Sequence, residues 1–197
     1  MSKLDFWYEF GSTYSYPAAM RLAPLAAKAG VSVRWRPFLL GPIFKAQGWD
    51  TSPFNIYPAK GRYMIRDMQR ICHDRGLKFC MPEPFPQSSL RAARIATAVP
   101  PQHVAAFSKR VFEHEFGAGL GIDCERSLGL ILLELGLDSN SIIASADNSD
   151  CKARLRANVG EAQRRGIFGA PSFLTPDDQL FWGDDRLDMA IAAFLRL

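Results

Sequence analysis

Ser12 and Ser15 stand where a chain of this pattern would do thiol chemistry. They follow the run Leu4-Asp5-Phe6-Trp7-Tyr8-Glu9-Phe10, whose aromatic enrichment predicts a strand, and they open a helical pattern. Cysteines at both places would form a redox dithiol. Serines remove the electron transfer but leave a hydroxyl at the positive end of a helix, able to donate to an anion such as a thiolate. An ordinary N-cap is the other reading of Ser12, and the local residues leave it open. A hydroxyl nucleophile in a Ser-His-Asp triad is disfavoured, because the chain has no Gly-x-Ser-x-Gly and His73, His103 and His114 have no orienting neighbours. The same histidines lack metal-ligand spacing, so no metal is expected.

Two further segments carry chemistry. In Gly166-Ile167-Phe168-Gly169-Ala170-Pro171-Ser172-Phe173, a cis bond before Pro171 would expose the backbone of Ala170 for pairing with an extended peptide. A plain turn would look similar. In Phe181-Trp182-Gly183-Asp184-Asp185-Arg186-Leu187, a carboxylate and the N–H groups of a helix start could together seize the amino-acid end of a γ-glutamyl group. Here too capping competes, and Asp185 with Asp188 resembles a capping box. Trp35, Phe38, Phe44, Trp49, Phe54 and Tyr57 flank a Pro- and Gly-punctuated stretch and are candidates to line a pocket for a flat apolar substrate.

The elements that must position these groups begin with a β-α-β unit. Strands are predicted over Asp5–Phe10 and Val31–Leu39, with a helix over Tyr14–Lys28 that Gly30 stops and that Pro17 and Pro24 bend or segment. From Gly41 to Arg165 helical spacing dominates, over 63–75, 89–97, 102–116, 127–135 and 150–165. The tail returns to β character, with strands at 172–175 and 179–182 about an Asp177-Asp178 turn and a last helix over 187–197. This is the layout of an α/β thioredoxin-like domain, residues 1–40 and 166–197, interrupted by a helical insertion domain, 41–165. Two distant parts of the sequence then share one sheet, and the active site is expected where they meet.

Composition narrows the function classes. The 197 residues and 48% hydrophobic content support a real core. The 24 basic and 20 acidic residues leave a formal charge of +4 that is spread along the chain, which argues against a nucleic-acid partner. Cys72, Cys80, Cys124 and Cys151 are spaced neither as a dithiol nor as zinc ligands, and read as buried thiols in a reducing compartment. No apolar run resembles a signal peptide or membrane helix, so a cytoplasmic protein without membrane contact is expected.

The ordered motifs resemble the 2-hydroxychromene-2-carboxylate isomerases and the related kappa-class glutathione transferases. They run from Phe6–Tyr16 through Pro58-Ala59-Lys60-Gly61-Arg62-Tyr63-Met64 and Gly166–Pro171 to Leu180–Leu187, covering nearly the whole chain. The resemblance implies a homodimeric, glutathione-binding enzyme of aromatic-compound degradation with a small aromatic carboxylate substrate. It makes Ser12 the catalytic residue that favours the glutathione thiolate. Ala170 and Pro171 would hold the cysteinyl backbone, and Trp182, Gly183, Asp184, Asp185 and Arg186 the γ-glutamyl end. Phe44, Lys45, Phe54 and Lys60 fall in the region lining the second-substrate site. The expected reaction is reversible conversion of 2-hydroxychromene-2-carboxylate to trans-o-hydroxybenzylidenepyruvate. The alternatives are a kappa-like transferase conjugating electrophiles, or a non-catalytic binding protein. The chain departs from the pattern at Trp49 and at Gln87-Ser88, where many members have Asn, and at Thr13, where proline is usual.

Overall fold

A computed structural model describes residues 2–197. Strand β1, Leu4–Tyr8, is buried along its whole length, as expected of an apolar run covered on both faces. It pairs in parallel with β2, Val33–Pro37, and helix α1, Ser15–Lys28, makes the crossover. Strand β3, Ser172–Leu174, lies antiparallel on the other side of β1 and carries β4, Leu180–Trp182, giving the order β2-β1-β3-β4. The sheet therefore draws two strands from each end of the chain. Between β2 and β3 run α2 (Leu40–Ala46), α3 (Pro53–Ile56), α4 (Pro58–Asp74), α5 (Leu90–Ala98), α6 (Val104–Phe112), α7 (Glu125–Glu134), α8 (Ser139–Ala146) and α9 (Ser149–Arg164), and α10 (Leu187–Phe194) closes the chain.

Several expectations need correction. Pro24 lies inside α1, which stays one helix, while Pro17 sits in its first turn, where a missing N–H costs no helical bond. The spacing at 102–116 resolves into a 3-10 turn, α6 and a π turn at Glu113–Gly117. Helices α2, α3 and α8 escape periodicity because each has eight residues or fewer, barely two turns.

Alternation along β1 splits the core. Phe6 and Tyr8 face a cluster with Phe10, Phe107, Phe112, Phe116 and Phe173, whereas Trp7 packs with Phe38, Ile43 and Ile167 on the other face. The Tyr8 hydroxyl meets the Ser108 hydroxyl at 2.6 Å, tying the sheet to α6. Asp5 is buried but paired by the guanidinium fork of Arg34, both bonds at 2.6 Å.

Two carboxyls in this core lack such partners. Glu9 follows β1, Glu115 lies in the π turn, and both are buried. Neither forms an ion pair, and both oxygens of Glu115 are without a hydrogen-bond partner, among the described residues. Burial pushes the Glu115 carboxyl well above the usual carboxylate range, and the charge of Glu9 pushes it further. Burial also raises Glu9, against the opposing effect of hydrogen bonds from Ser89 and Gly11. Between the ordinary and the raised values the folded state holds more protons than the unfolded one, so stability falls as pH rises through that window. Glu115→Gln cannot titrate. Its stability, read from urea midpoints across pH, should decline less steeply above the ordinary glutamate range, by up to about 1.36 kcal/mol per pH unit. Parallel curves for the variant and the wild type would show that Glu115 is not held protonated.

Candidate active site

The turn after β1 is closed by backbone bonds from Ser12 N–H to Glu9 O (3.1 Å) and from Ser15 N–H to Ser12 O (3.0 Å). Helix α1 starts at Ser15 with Tyr14 as N-cap and no capping side chain, so the N-cap reading of Ser12 is not realised. Its hydroxyl instead donates to the carbonyl of Ala170, 2.8 Å away and 158 positions along the chain. The Ala170–Pro171 bond is cis. The Ala170 N–H has no hydrogen-bond partner among the described residues, which leaves an edge open to an extended ligand. Pro171 O accepts from Gly183 N–H at 3.0 Å, binding this loop to the segment after β4. Gly169 lets the Trp182 indole lie against this backbone, since a Cβ would be 2.4 Å from its Nε1, and the indole is tilted against the Phe168 ring with centroids 4.9 Å apart. Ser15 is fully buried, and its hydroxyl has no partner among the described residues.

The acidic segment divides. Neither the 3-10 turn at Asp184–Arg186 nor α10 has a capping side chain, so the cap and capping-box alternatives fail. Asp184 is only 3% exposed and pairs with Arg75 Nη2 at 2.6 Å, with Arg21 Nη1 at 3.9 Å. That carboxylate is turned inward, unlike its neighbour, and its Oδ1 has no hydrogen-bond partner among the described residues. Asp185 is exposed and holds Arg186 at 2.7 Å. Gly183 adopts φ 107°, a backbone that side chains rarely take.

Tyr14 carries no role in the sequence reading, yet it links the Ser12 turn to α4 by donating to Asp67 Oδ2 at 2.9 Å. Burial raises its pKa, the bond to Asp67 adds to this, and the charges of Asp67, Tyr63 and Asp185 push the same way, so it stays a neutral phenol. Its ring lies 6.4 Å from that of Phe54.

The six aromatics expected to line one pocket separate. Trp35, partly buried, packs edge-on against Phe6 at the margin of one core cluster, and Phe38 packs against Trp7 inside the other. Phe44 pairs with Trp49 at 5.9 Å and leans on the Trp7 cluster. Lys60 covers the Tyr57 ring at 4.6 Å, and Lys45 is exposed. A cavity of about 530 Å³ opens on α4 between Arg66, Gln69, Arg70, His73 and Asp74, and none of these is a predicted site residue. Gln87 does approach the turn, with its carbonyl 3.6 Å from where a Cβ on Gly11 would lie. Cys72 and Cys151 are buried as expected, whereas Cys80 and Cys124 are exposed. The Cys124 thiol is lowered by the N–H groups of Ser127 and Arg126 at the start of α7. No cluster of three metal-ligating side chains occurs among the described residues.

The family described as DSBA-like thioredoxin domain matches residues 3–194. The chain is 28% identical to a 2-hydroxychromene-2-carboxylate isomerase of Sphingobium xenophagum over 94% of each protein. It is 26% identical to glutathione S-transferase kappa 2 of Caenorhabditis elegans, covering 98% of this chain and 91% of that one. A solved structure of a 2-hydroxychromene-2-carboxylate isomerase superposes with a TM-score of 0.87 at 28% identity, covering 98% of this chain and 94% of the other.

Proposed function

The chain belongs to the DSBA-like thioredoxin domain family, and from that premise we propose that it is a glutathione-dependent isomerase interconverting 2-hydroxychromene-2-carboxylate and trans-o-hydroxybenzylidenepyruvate. The observation that carries the reading is the Ser12 hydroxyl set on the Ala170 carbonyl, a donor at the helix start beside a free peptide edge. Residues 1–40 and 166–197 form the cofactor-binding part in this reading, and 41–165 the insertion.

The residues present fit glutathione. The Ala170 N–H and carbonyl offer a donor and an acceptor to a cysteinyl backbone, Trp182 offers a half-exposed ring, and Asp185 offers an exposed carboxylate for an ammonium. When bound, glutathione supplies a thiol nucleophile that is regenerated at the end of each turnover. Ser12 has one proton to give. In the free protein that proton goes to Ala170 O, whose second lone pair would remain for a cysteinyl N–H, and rotation of the Ser12 hydroxyl would direct its proton to a sulfur held at the helix start. Ser12 and the helix start then favour negative charge on the sulfur where it is needed. Phe54 and Tyr14 give the substrate ring an apolar wall, and Lys45 or Lys60 the charge for its carboxylate. With four free cysteines the chain suits a reducing, cytoplasmic setting, and we read it as a homodimer. No helix of the described residues is long and apolar enough to cross a membrane.

The similarity to the kappa 2 transferase favours one alternative, irreversible conjugation of electrophiles. Thermal-shift titration with glutathione and S-alkyl glutathiones tests the shared premise, since a ligand of the native state raises the melting temperature by mass action. Both should stabilise the protein. No shift with either at millimolar concentration would overturn the cofactor assignment.

A further inference from the structure

Asp184 is the buried centre of an ion cluster that joins three segments. Its carboxylate is 3% exposed, Arg75 Nη2 lies 2.6 Å from Oδ2, and Arg21 Nη1 lies 3.9 Å from Oδ1. Arg21 also donates to the Asp184 carbonyl at 3.4 Å and pairs with Asp188. Arg21 comes from α1, Arg75 ends α4, and Asp184 begins the turn that presents Asp185. Removing water from the Asp184 carboxylate is costly, and taking away the guanidinium that compensates it is costlier still, while the two arginines keep part of their hydration. The cluster therefore fixes the start of that turn to α4.

Helix α4 also reaches the Ser12 turn, through Asp67 and the Tyr14 hydroxyl. Asp67 and Arg75 are about two helical turns apart, roughly 12 Å along the axis. One rigid element thus touches the chain beside Ser12 and the chain beside Asp185. Asp185 is free of α4, exposed, and paired only with its neighbour Arg186 among the described residues.

We propose that Arg75 is a positioning residue for cofactor recognition: acting through Asp184, it holds the turn in the one conformation in which Asp185 meets the ammonium of a γ-glutamyl group. Asp184 is then part of the support and not a ligand. This rests on the glutathione reading above and goes beyond it by assigning γ-glutamyl specificity to a residue of the helical insertion.

The test compares glutathione with cysteinylglycine, the same thiol without the γ-glutamyl group, by calorimetry on the full-length protein. Arg75→Gln should weaken glutathione binding about tenfold and leave cysteinylglycine binding unchanged, and Arg75→Lys should restore part of the loss. Asp184→Asn should reproduce the effect, and the double variant should be no weaker than the stronger single one, because the two residues act in series. Equal losses on both peptides would show a general distortion and overturn the proposal, as would unchanged glutathione affinity in Arg75→Gln. Additive losses would mean that Arg75 meets the ligand on its own and would overturn it too. Should Arg75→Gln fail to fold, Asp184→Asn, which keeps the shape and removes the charge, makes the same comparison. A wild type that binds neither peptide would instead remove the glutathione reading itself.

Discussion

Ser12→Ala should lower turnover by roughly ten- to a thousandfold, the range for losing one donor to a developing negative charge, while glutathione affinity changes less. The substitution deletes the hydroxyl and its bond to Ala170 O. Ser15 does not replace it, being fully buried at the first position of α1. The thiolate absorbance of bound glutathione should emerge at higher pH in the variant. A normal rate with an unshifted thiol titration would take Ser12 out of the mechanism.

The parts of the fold set by strong local patterns were legible. The aromatic run of β1, the helix after it and the Asp177-Asp178 hairpin all stand where residue type places them, while the bond before Pro171, open in the sequence between cis and a plain turn, is cis. Order along the chain could also announce that Ser12 and Ala170 meet, since a sheet built from both ends brings them together. What stayed hidden depends on contacts between distant residues. Arg75 and Arg21 read as two charges among many until Asp184 is found buried between them. Tyr14 reads as one more aromatic until its hydroxyl reaches Asp67. Trp35 and Phe38 looked like pocket residues because they flank irregular chain, and burial against β1 decided otherwise. The separation of Asp184 from Asp185 had no signal in sequence, because adjacent residues of a tight turn point to opposite environments only once the turn is docked.

The second large effect is expected at Asp185. Asp185→Ala should raise the glutathione dissociation constant roughly ten- to a hundredfold, corresponding to about 1.5–3 kcal/mol for a hydrogen bond to a charged group. Unfolding of the ligand-free protein should shift little, because the carboxylate is exposed, its pairing with Arg186 is a surface contact, and no cap bond is lost. Asp184→Ala should behave differently on stability, lowering it by leaving the part-buried Arg75 without an ion-pair partner among the described residues, while Arg21 keeps Asp188. If Asp185→Ala leaves glutathione affinity intact and lowers only the melting temperature, the exposed carboxylate is no part of the cofactor site.

Reversible use of the thiol separates isomerisation from conjugation, and it is read most directly by following glutathione and 2-hydroxychromene-2-carboxylate together through many turnovers. With glutathione well below the substrate concentration, the protein should carry the substrate to equilibrium with trans-o-hydroxybenzylidenepyruvate while free thiol stays constant, and it should reach the same equilibrium from the other side. Product formed without any requirement for glutathione, or thiol lost in step with substrate as a stable conjugate, would contradict the account.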